Sequence, residues 1–468
     1  MGFFEKVANI FPEVRGPSEK RLGFKTKLKW TLLILVAFFV LSVIPLYGLG
    51  QNALSQFESL SLILGASFGS IVSLGIGPIV TASIVLQLLT GSGILKINTS
   101  TPEGKSFFQG LQKVMTVFFI VFEAFIYVFL GGLAPAADLL GTSAYPIMQL
   151  MLVFQLILGG MMVLYMDQVI NKYGFGSGVS LFIAAGVSSS IFVRAFSPLN
   201  SVGSWAFGSG QAPIGQVWVF FQSLMNRNPL GAGIALAAIL ATVFVFAFSF
   251  YAQAMKIEIP LSFGRVRGHG IRWPLKFLYT SNIPVILTAA LLANIQLWAR
   301  LLENWGKPIL GTFIGNTPAS GFVLWVFPPN IVQGLITGTV SGLDFAHAGV
   351  YMLLMIGGAV LFSIFWVQTS GMDAAAQAKQ MMASGLQIPG FRRDPRVLEA
   401  ILNRYIPSLT ILGGIAIGVL AASADLMGAL ANGTGILLAV MIIYKLYEEI
   451  AQQHMMDMHP SLRKMMEK

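Results

Sequence analysis

The chain is 468 residues long, 55% hydrophobic and only 10% charged, with a mean hydropathy of +0.76 and a formal net charge of +10. Soluble domains carry about 25% charged residues, so this composition excludes a water-soluble globular fold and predicts an all-α protein that crosses the membrane many times. Cysteine is absent and the four histidines (His269, His347, His454, His459) are scattered, which leaves no disulfide, no thiolate nucleophile and no metal-ligating set to expect.

At the start of the chain, Phe3, Phe4, Val7, Ile10, Phe11 and Val14 recur at helical spacing with charges between them, predicting an interfacial amphipathic helix within a cytosolic segment 1–29. The apolar stretch 30–49 follows without a small-residue cleavage site, so it is expected to be an uncleaved first span. Residues 59–95 then carry no charge, yet Gly65, Gly69, Gly75, Gly77 and Pro78 interrupt them. One helix of about 20 residues suffices to cross ~30 Å of hydrocarbon, so this segment is too long and too broken for a single span. It reads as a short re-entrant half-helix, about Ser55 to Ala66, a glycine turn, and a second span over 75–90. Irregular backbone at membrane depth is tolerated only where protein or a water-filled cavity satisfies it, which points to a pore or a substrate cavity.

Eight further apolar runs follow at 114–134, 146–166, 174–193, 232–254, 280–299, 346–366, 406–424 and 428–444, making ten spans in all. Leu152, in the fourth, is expected to face lipid. An even number puts both termini on one side. With the N-terminus in the cytosol, every one of the 29 Lys and Arg residues except Arg194, Arg227, Arg300 and Lys307 falls in a cytosolic segment, as the positive-inside rule requires. The resulting plan is a five-span half over 30–200 with its plug at 55–70, an external loop and sixth span over 201–255, a cytosolic loop at 256–279, two spans over 280–370, a second cytosolic loop at 371–405, two spans over 406–450 and a tail, 451–468. The two loops carry Arg265, Arg267 and Arg272, and Arg392, Arg393 and Arg396. These arginines either set topology against anionic lipid or form a docking surface for an acidic or RNA-rich partner.

An internal echo links the halves. Pro78 to Gln87 in the second span resembles Pro284 to Asn294 in the seventh: a proline, β-branched residues, then an amide. Opposite directions for these two spans suggest five helices plus five inverted ones, with the working site between the halves. Ile76 with Val80 and Ile183 with Val187 stand at i, i+4, so each pair either packs helices or lines an aliphatic constriction that gates by dewetting. Glu123 is the one ionisable residue deep within a predicted span. The glycine-rich Gly174 to Gly178 lacks the strand and the Lys-Ser/Thr ending of a phosphate loop. No nucleophile-base-acid set or paired-carboxylate site is visible, so neither a catalytic activity nor a cofactor is expected.

The stretches Ile63-Leu-Gly-Ala-Ser-Phe-Gly-Ser70, Gly75-Ile-Gly-Pro-Ile-Val80 with Gln87, Tyr173-Gly-Phe-Gly-Ser-Gly178, Ile283-Pro-Val-Ile286 and Ile388-Pro-Gly-Phe-Arg392 fall in this order. Together they resemble the SecY family, the central channel subunit of the protein translocase, and most closely its archaeal members. The resemblance implies a cell-membrane channel for secretory polypeptides that releases apolar segments sideways into lipid. It places a pore ring on Ile76, Val80, Ile183, Val187, Ile286 and Leu438, polar lateral-gate residues at Gln87 and Asn294, and a plug that includes Ser55, Leu60, Leu62, Ile63 and Leu64. Arg265, Arg267, Arg392 and Arg393 fall where the family engages the ribosome or another cytosolic motor. The expected partners are a SecE-type clamp, a small peripheral single-span subunit, signal sequences and nascent chains. A secondary transporter or small-solute channel on the same inverted-repeat plan is the alternative.

Overall fold

The structure, a computed structural model, describes residues 13–19, 22–52, 54, 64–95, 97, 101–200, 204–207, 211–263, 270–280, 282–315, 317–383, 386–387 and 395–458. Ten long or apolar helices succeed one another: α1 (Phe24–Val43), α2 (Gly77–Gly91), α3 (Pro102–Phe129), α4 (Ala144–Tyr173), α5 (Gly178–Phe196), α6 (Pro229–Ala254), α7 (Ile283–Asn304), α8 (Gly342–Thr369), α9 (Pro395–Leu426) and α10 (Gly433–Met458). Eight are long and apolar enough to cross a membrane. At 15 residues α2 is shorter, and α10 carries Lys445, Glu448 and Glu449 in its second half.

Helix ends depart from the apolar runs for local reasons. The predicted span 30–49 is replaced by a helix that starts at Phe24 and stops at Val43, because Pro45 leaves it to bridge Ser70 in extended conformation. Thr101 accepts the Gly104 amide and starts α3 at Pro102, well before residue 114. The ninth helix likewise reaches back beyond the apolar run 406–424. Helix α9 begins at Pro395 because Leu398, Leu402 and Ile406 pack with Ala374, Ala378 and Met381 of a short helix, Ala374–Ala383, in a second, smaller core. Hydropathy misses those roughly three turns because burial under another helix, not lipid, is what stabilises them.

The two arginine-bearing connections form one sheet rather than two separate loops. Strands β3 (Lys256–Phe263) and β4 (Gly270–Lys276) make a hairpin, and β7 (Leu386–Gln387) adds to β3 through Ser262 and Phe263. On the opposite face lie β1 (Leu49–Asn52) with β2 (Leu133–Pro135), and β5 (Thr312–Ile314) with β6 (Thr317–Ser320). That face also carries the short helix Gln216–Met225, inside the segment expected to be a loop. Val14 is not helical. Its amide donates to Gln168 Oε1 at 3.1 Å, Lys172 pairs with Glu13 at 2.5 Å and the Tyr173 hydroxyl donates to the Arg15 carbonyl at 2.8 Å, so this stretch is strapped across the end of α4. The rest of the predicted interfacial helix, Phe3 to Phe11, lies outside the described residues.

The halves α1–α5 and α6–α10 meet through equivalent helices, since α2 packs on α7 and α5 on α10. Such self-pairing is what a two-fold axis in the membrane plane demands. One continuous apolar core runs between the halves.

Candidate functional site

The second helix of each half opens in the same way. Ile76 before α2 and Asn282 before α7 both sit in the right-handed helical region, at φ −88°, ψ −1° and φ −87°, ψ −12°, and a proline follows at the second helical residue. Proline costs nothing there because that amide has no intrahelical acceptor. Val80 and Ile286 are then each the fourth residue of their helix. Likewise Ile183 is the sixth residue of α5 and Leu438 the sixth of α10. Four of the six predicted ring positions are thus two pairs of repeat-equivalent residues.

All six (Ile76, Val80, Ile183, Val187, Ile286 and Leu438) are buried and belong to the same apolar cluster. A methyl group on Gly435 would stand 3.2 Å from Val187, so α5 and α10 approach closely beside the ring. Of the predicted plug residues, Leu64 is described and buried, whereas Ser55, Leu60, Leu62 and Ile63 lie outside the described residues. Leu64 and Gly65 form a turn and Ala66 is not helical, so the half-helix predicted over about Ser55 to Ala66 does not include these three; its residues 55–63 lie outside the described ones. The Ile76 amide donates to the Leu64 carbonyl at 2.8 Å, and Gly65 faces both Ile76 and Phe182. A left-handed Gly75, φ +52°, brings the chain back so tightly that a Cβ there would lie 2.4 Å from the Leu64 oxygen. Ser73 accepts the Gly69 amide within this irregular stretch, and the Ser67 hydroxyl donates to the Ser42 carbonyl in the last turn of α1.

A cavity opens on either side of the ring. The first, about 370 Å³, is lined by Lys27, Ser177, Leu181, Asn282, Ile442 and Glu449, on the face that bears the β3–β4 hairpin. The second, about 540 Å³, is lined by Arg194, Ala289, Gln296, Tyr351, Asp425 and Asn432 on the opposite face. On α7 the order is Asn282 at one cavity, Ile286 in the ring and Ala289 at the other. On α10 it is Ile442, Leu438 and Thr434. The buried aliphatic residues Ile286 and Leu438 therefore lie between the two cavities along their helices.

Helices α2 and α3 close on α7 and α8 along one side. The Gly91 Cα is so near the Phe365 ring of α8 that a Cβ would come within 2.4 Å of it, and Phe122 of α3 lies against Trp298 of α7 at 5.8 Å between centroids. The two predicted gate amides are not joined to each other. Gln87 is buried with no partner for its Oε1 among the described residues, whereas Asn294 donates to the Thr81 hydroxyl at 3.2 Å. Thr81 in turn lies 3.2 Å from Glu123 Oε1, sharing its proton with the Gly77 carbonyl at 2.8 Å. A polar chain from α3 through α2 to α7 thus crosses the seam. Sequence reasoning found its two ends but missed Thr81, a common β-branched residue that only the fold brings between them. Leu152, expected to face lipid, is buried, whereas Phe154 points outward, 61% exposed. Arg265, Arg267, Arg392 and Arg393 lie outside the described residues, in the segments that adjoin β3 and β7.

The SecY family model matches residues 70–447, and the model described as the plug domain of Sec61p matches residues 36–69. The protein translocase subunit SecY of Methanothermobacter thermautotrophicus is 45% identical over 464 residues, 98% of this chain and 97% of the relative. That of Pyrococcus furiosus is 43% identical, with 97% of each covered. Among solved structures, one described as a protein conducting channel superposes with a TM-score of 0.82 at 39% identity, covering 97% of this chain and 98% of the other. Sec61 in the canine ribosome-channel complex superposes with a TM-score of 0.80 at 38% identity and the same coverage.

Proposed function

The chain belongs to the SecY family of protein-conducting channels, and we propose that Ile76, Val80, Ile183, Val187, Ile286 and Leu438 are the seal of that channel. The observation that carries this reading is the placement of the ring between two cavities on opposite faces. An extended polypeptide enters from the cavity beside the hairpin, parts the aliphatic side chains and leaves through the other. The ring holds no charge and no hydrogen-bonding group, so it favours no side-chain type and retains none. At rest it excludes water and ions by dewetting, helped by a plug at 55–70 whose turn at Leu64 and Gly65 lies against Ile76.

The lateral exit runs between α2 and α3 on one side and α7 and α8 on the other, with Gln87 and the chain from Glu123 through Thr81 to Asn294 along its seam. A sufficiently apolar segment exchanges contacts with these helices for contacts with lipid and leaves sideways. The hairpin face is cytosolic, following the distribution of Lys and Arg, and Arg265, Arg267, Arg392 and Arg393, in the two connections that meet through the sheet β4-β3-β7, are the residues that engage the phosphates of a ribosome or the acidic face of another motor. A SecE-type clamp and a small peripheral subunit complete the assembly.

The test is a photocrosslinking amino acid at each ring position in a complex that holds a stalled secretory chain. All six positions are expected to capture the chain, and Phe154 is not. If none of the six captures a chain that is demonstrably present, the ring is helix packing and a small-solute pathway becomes the better account of the cavities.

A further inference from the structure

The ring helices α5 and α10 are stapled at their N-termini by the same device in both halves. Asp167 of α4 accepts the Val179 amide at 2.9 Å, and the amide of Gly178 also points at this carboxylate. Asp425 of α9 accepts the Thr434 amide at 2.6 Å and is faced by the amide of Gly433. In each case the carboxylate sits on the helix that precedes the ring helix and takes the first two amides of the ring helix. In each case, too, that helix begins with a glycine pressed against its neighbour: a Cβ would lie 2.6 Å from the Asp167 Cα at Gly178, and 2.0 Å from the Ala424 carbonyl carbon at Gly433. The first amides of a helix lack intrahelical acceptors and form its positive end, so a carboxylate placed there is both a cap and a counter-charge. Counting from the stapled glycine, Ile183 and Leu438 stand at the same helical position, one hung from the hairpin face and the other from the opposite face.

The two staples differ in one respect. Asp167 is also bonded by Asn171 of its own helix. Asp425 instead receives the hydroxyl of Tyr351, which belongs to α8, at 2.7 Å, and its other close partner is the Thr434 hydroxyl. Tyr351 is 4% exposed and lines the cavity on the opposite face together with Asp425, so the bond sits at the wall of the path. We propose that Asp167 and Asp425 are paired positioning residues that fix the depth of Ile183 and Leu438 in the membrane, and that Tyr351, by sharing Asp425, ties the seal to the gate helix α8. When α8 swings away from α2, Tyr351 draws on the carboxylate that holds α10, so the gate and the ring open as one event. This inference rests on the ring reading above.

The test uses the full chain, purified with its membrane partners, in planar bilayers. Asp167→Ala and Asp425→Ala are each expected to raise resting ion conductance at least threefold. Asp167→Asn and Asp425→Asn keep an oxygen for the amides and stay within twofold of the native channel. Tyr351→Phe leaves the resting level within twofold but lowers the conductance evoked by a synthetic leucine-rich signal peptide at least threefold, because the gate no longer pulls on the ring. Folded alanine variants with native resting conductance overturn the staples, and a native evoked response in Tyr351→Phe overturns the coupling. Should the alanine variants fail to assemble, Asp167→Ser and Asp425→Ser, which shorten the cap but keep a hydroxyl, replace them with the same expectation, and Tyr351→Phe, which deletes a single hydroxyl, still decides the coupling. Ile183→Asn in the same bilayers separates the two readings: if it leaks while the alanine variants do not, the staples fail and the ring stands, and if it does not leak, the ring itself fails.

Discussion

At the scale of single residues, the seam between the two gate walls is held by few polar contacts, so one of them has a large effect. Thr81 links Glu123 of α3 to Asn294 of α7. Thr81→Val keeps the shape and removes the link, leaving a buried carboxylate and an amide with one partner fewer, a loss of about 1–3 kcal/mol from the closed state. The expected outcome is a gate that opens more readily. Secretory proteins with weakened signal sequences then translocate several-fold better, as a transport assay with purified vesicles measures, while a native response leaves the seam to apolar packing alone. The ring pairs Ile76 with Val80 and Ile183 with Val187 are visible in the sequence because i, i+4 spacing needs only one helix. Thr81, Asp167, Asp425 and Tyr351 are not, since their meaning comes from partners on other helices. For Asp167 and Asp425, the helices run past the ends of the apolar runs and carry both carboxylates into half-buried positions beside the next helix.

At the scale of elements, the strap over residues 13–18 depends on Glu13. The hydrogen bond from Lys172, helped by the charges of Lys172 and Lys113, holds its carboxyl below the usual 4.5. A depressed carboxyl contributes its attraction fully above the ordinary value and loses it as pH falls through the depressed one. The mobility of a spin label on a single cysteine at Ser18 is therefore expected to stay constant from pH 8 to about 5 and to rise below about 4. Glu13→Gln is mobile throughout, and a label that is immobile in this variant contradicts the ion-pair account. The plug makes a separate prediction. Its return is built from turns anchored at Leu64 and Ser67, outside the helix contacts that support the bundle, so deletion of 56–66 leaves the protein folded and inserted while ion leak rises. Unchanged conductance in a folded deletion variant assigns the seal to the ring alone. Interrupted apolarity revealed the re-entrant segment because glycines and Pro78 punctuate it. Hydropathy could not reveal the sheet on the hairpin face, whose short strands alternate polar and apolar residues, or the first turns of α9, which are buried by protein.

For the whole molecule, the inverted repeat was legible in one short echo, and the structure extends it to equal helix starts, equal ring positions and α5 packed on α10. The echo between α5 and α10 is hidden in sequence because glycine and aliphatic residues are too common in membrane helices to stand out. Orientation can be tested directly, since the chain has no cysteine to give background. Single cysteines at Lys25, Arg265, Arg392 and Lys464 are expected to label from the cytosol, and those at Ser209 and Asn316 from outside. Outside labelling at Arg392 breaks the ten-span assignment.

The paired cavities also decide where a membrane potential acts. On the ring reading proposed above, water enters from both faces, so the voltage falls across little more than the thickness of one layer of aliphatic side chains instead of ~30 Å of hydrocarbon. An elementary charge crossing a 100 mV potential exchanges about 2.3 kcal/mol, and here nearly all of it is exchanged in the single step past Ile183, Ile286 and Leu438. A chain threading the ring thus feels the field one residue at a time, pushed or held according to the sign of whichever side chain stands at the constriction.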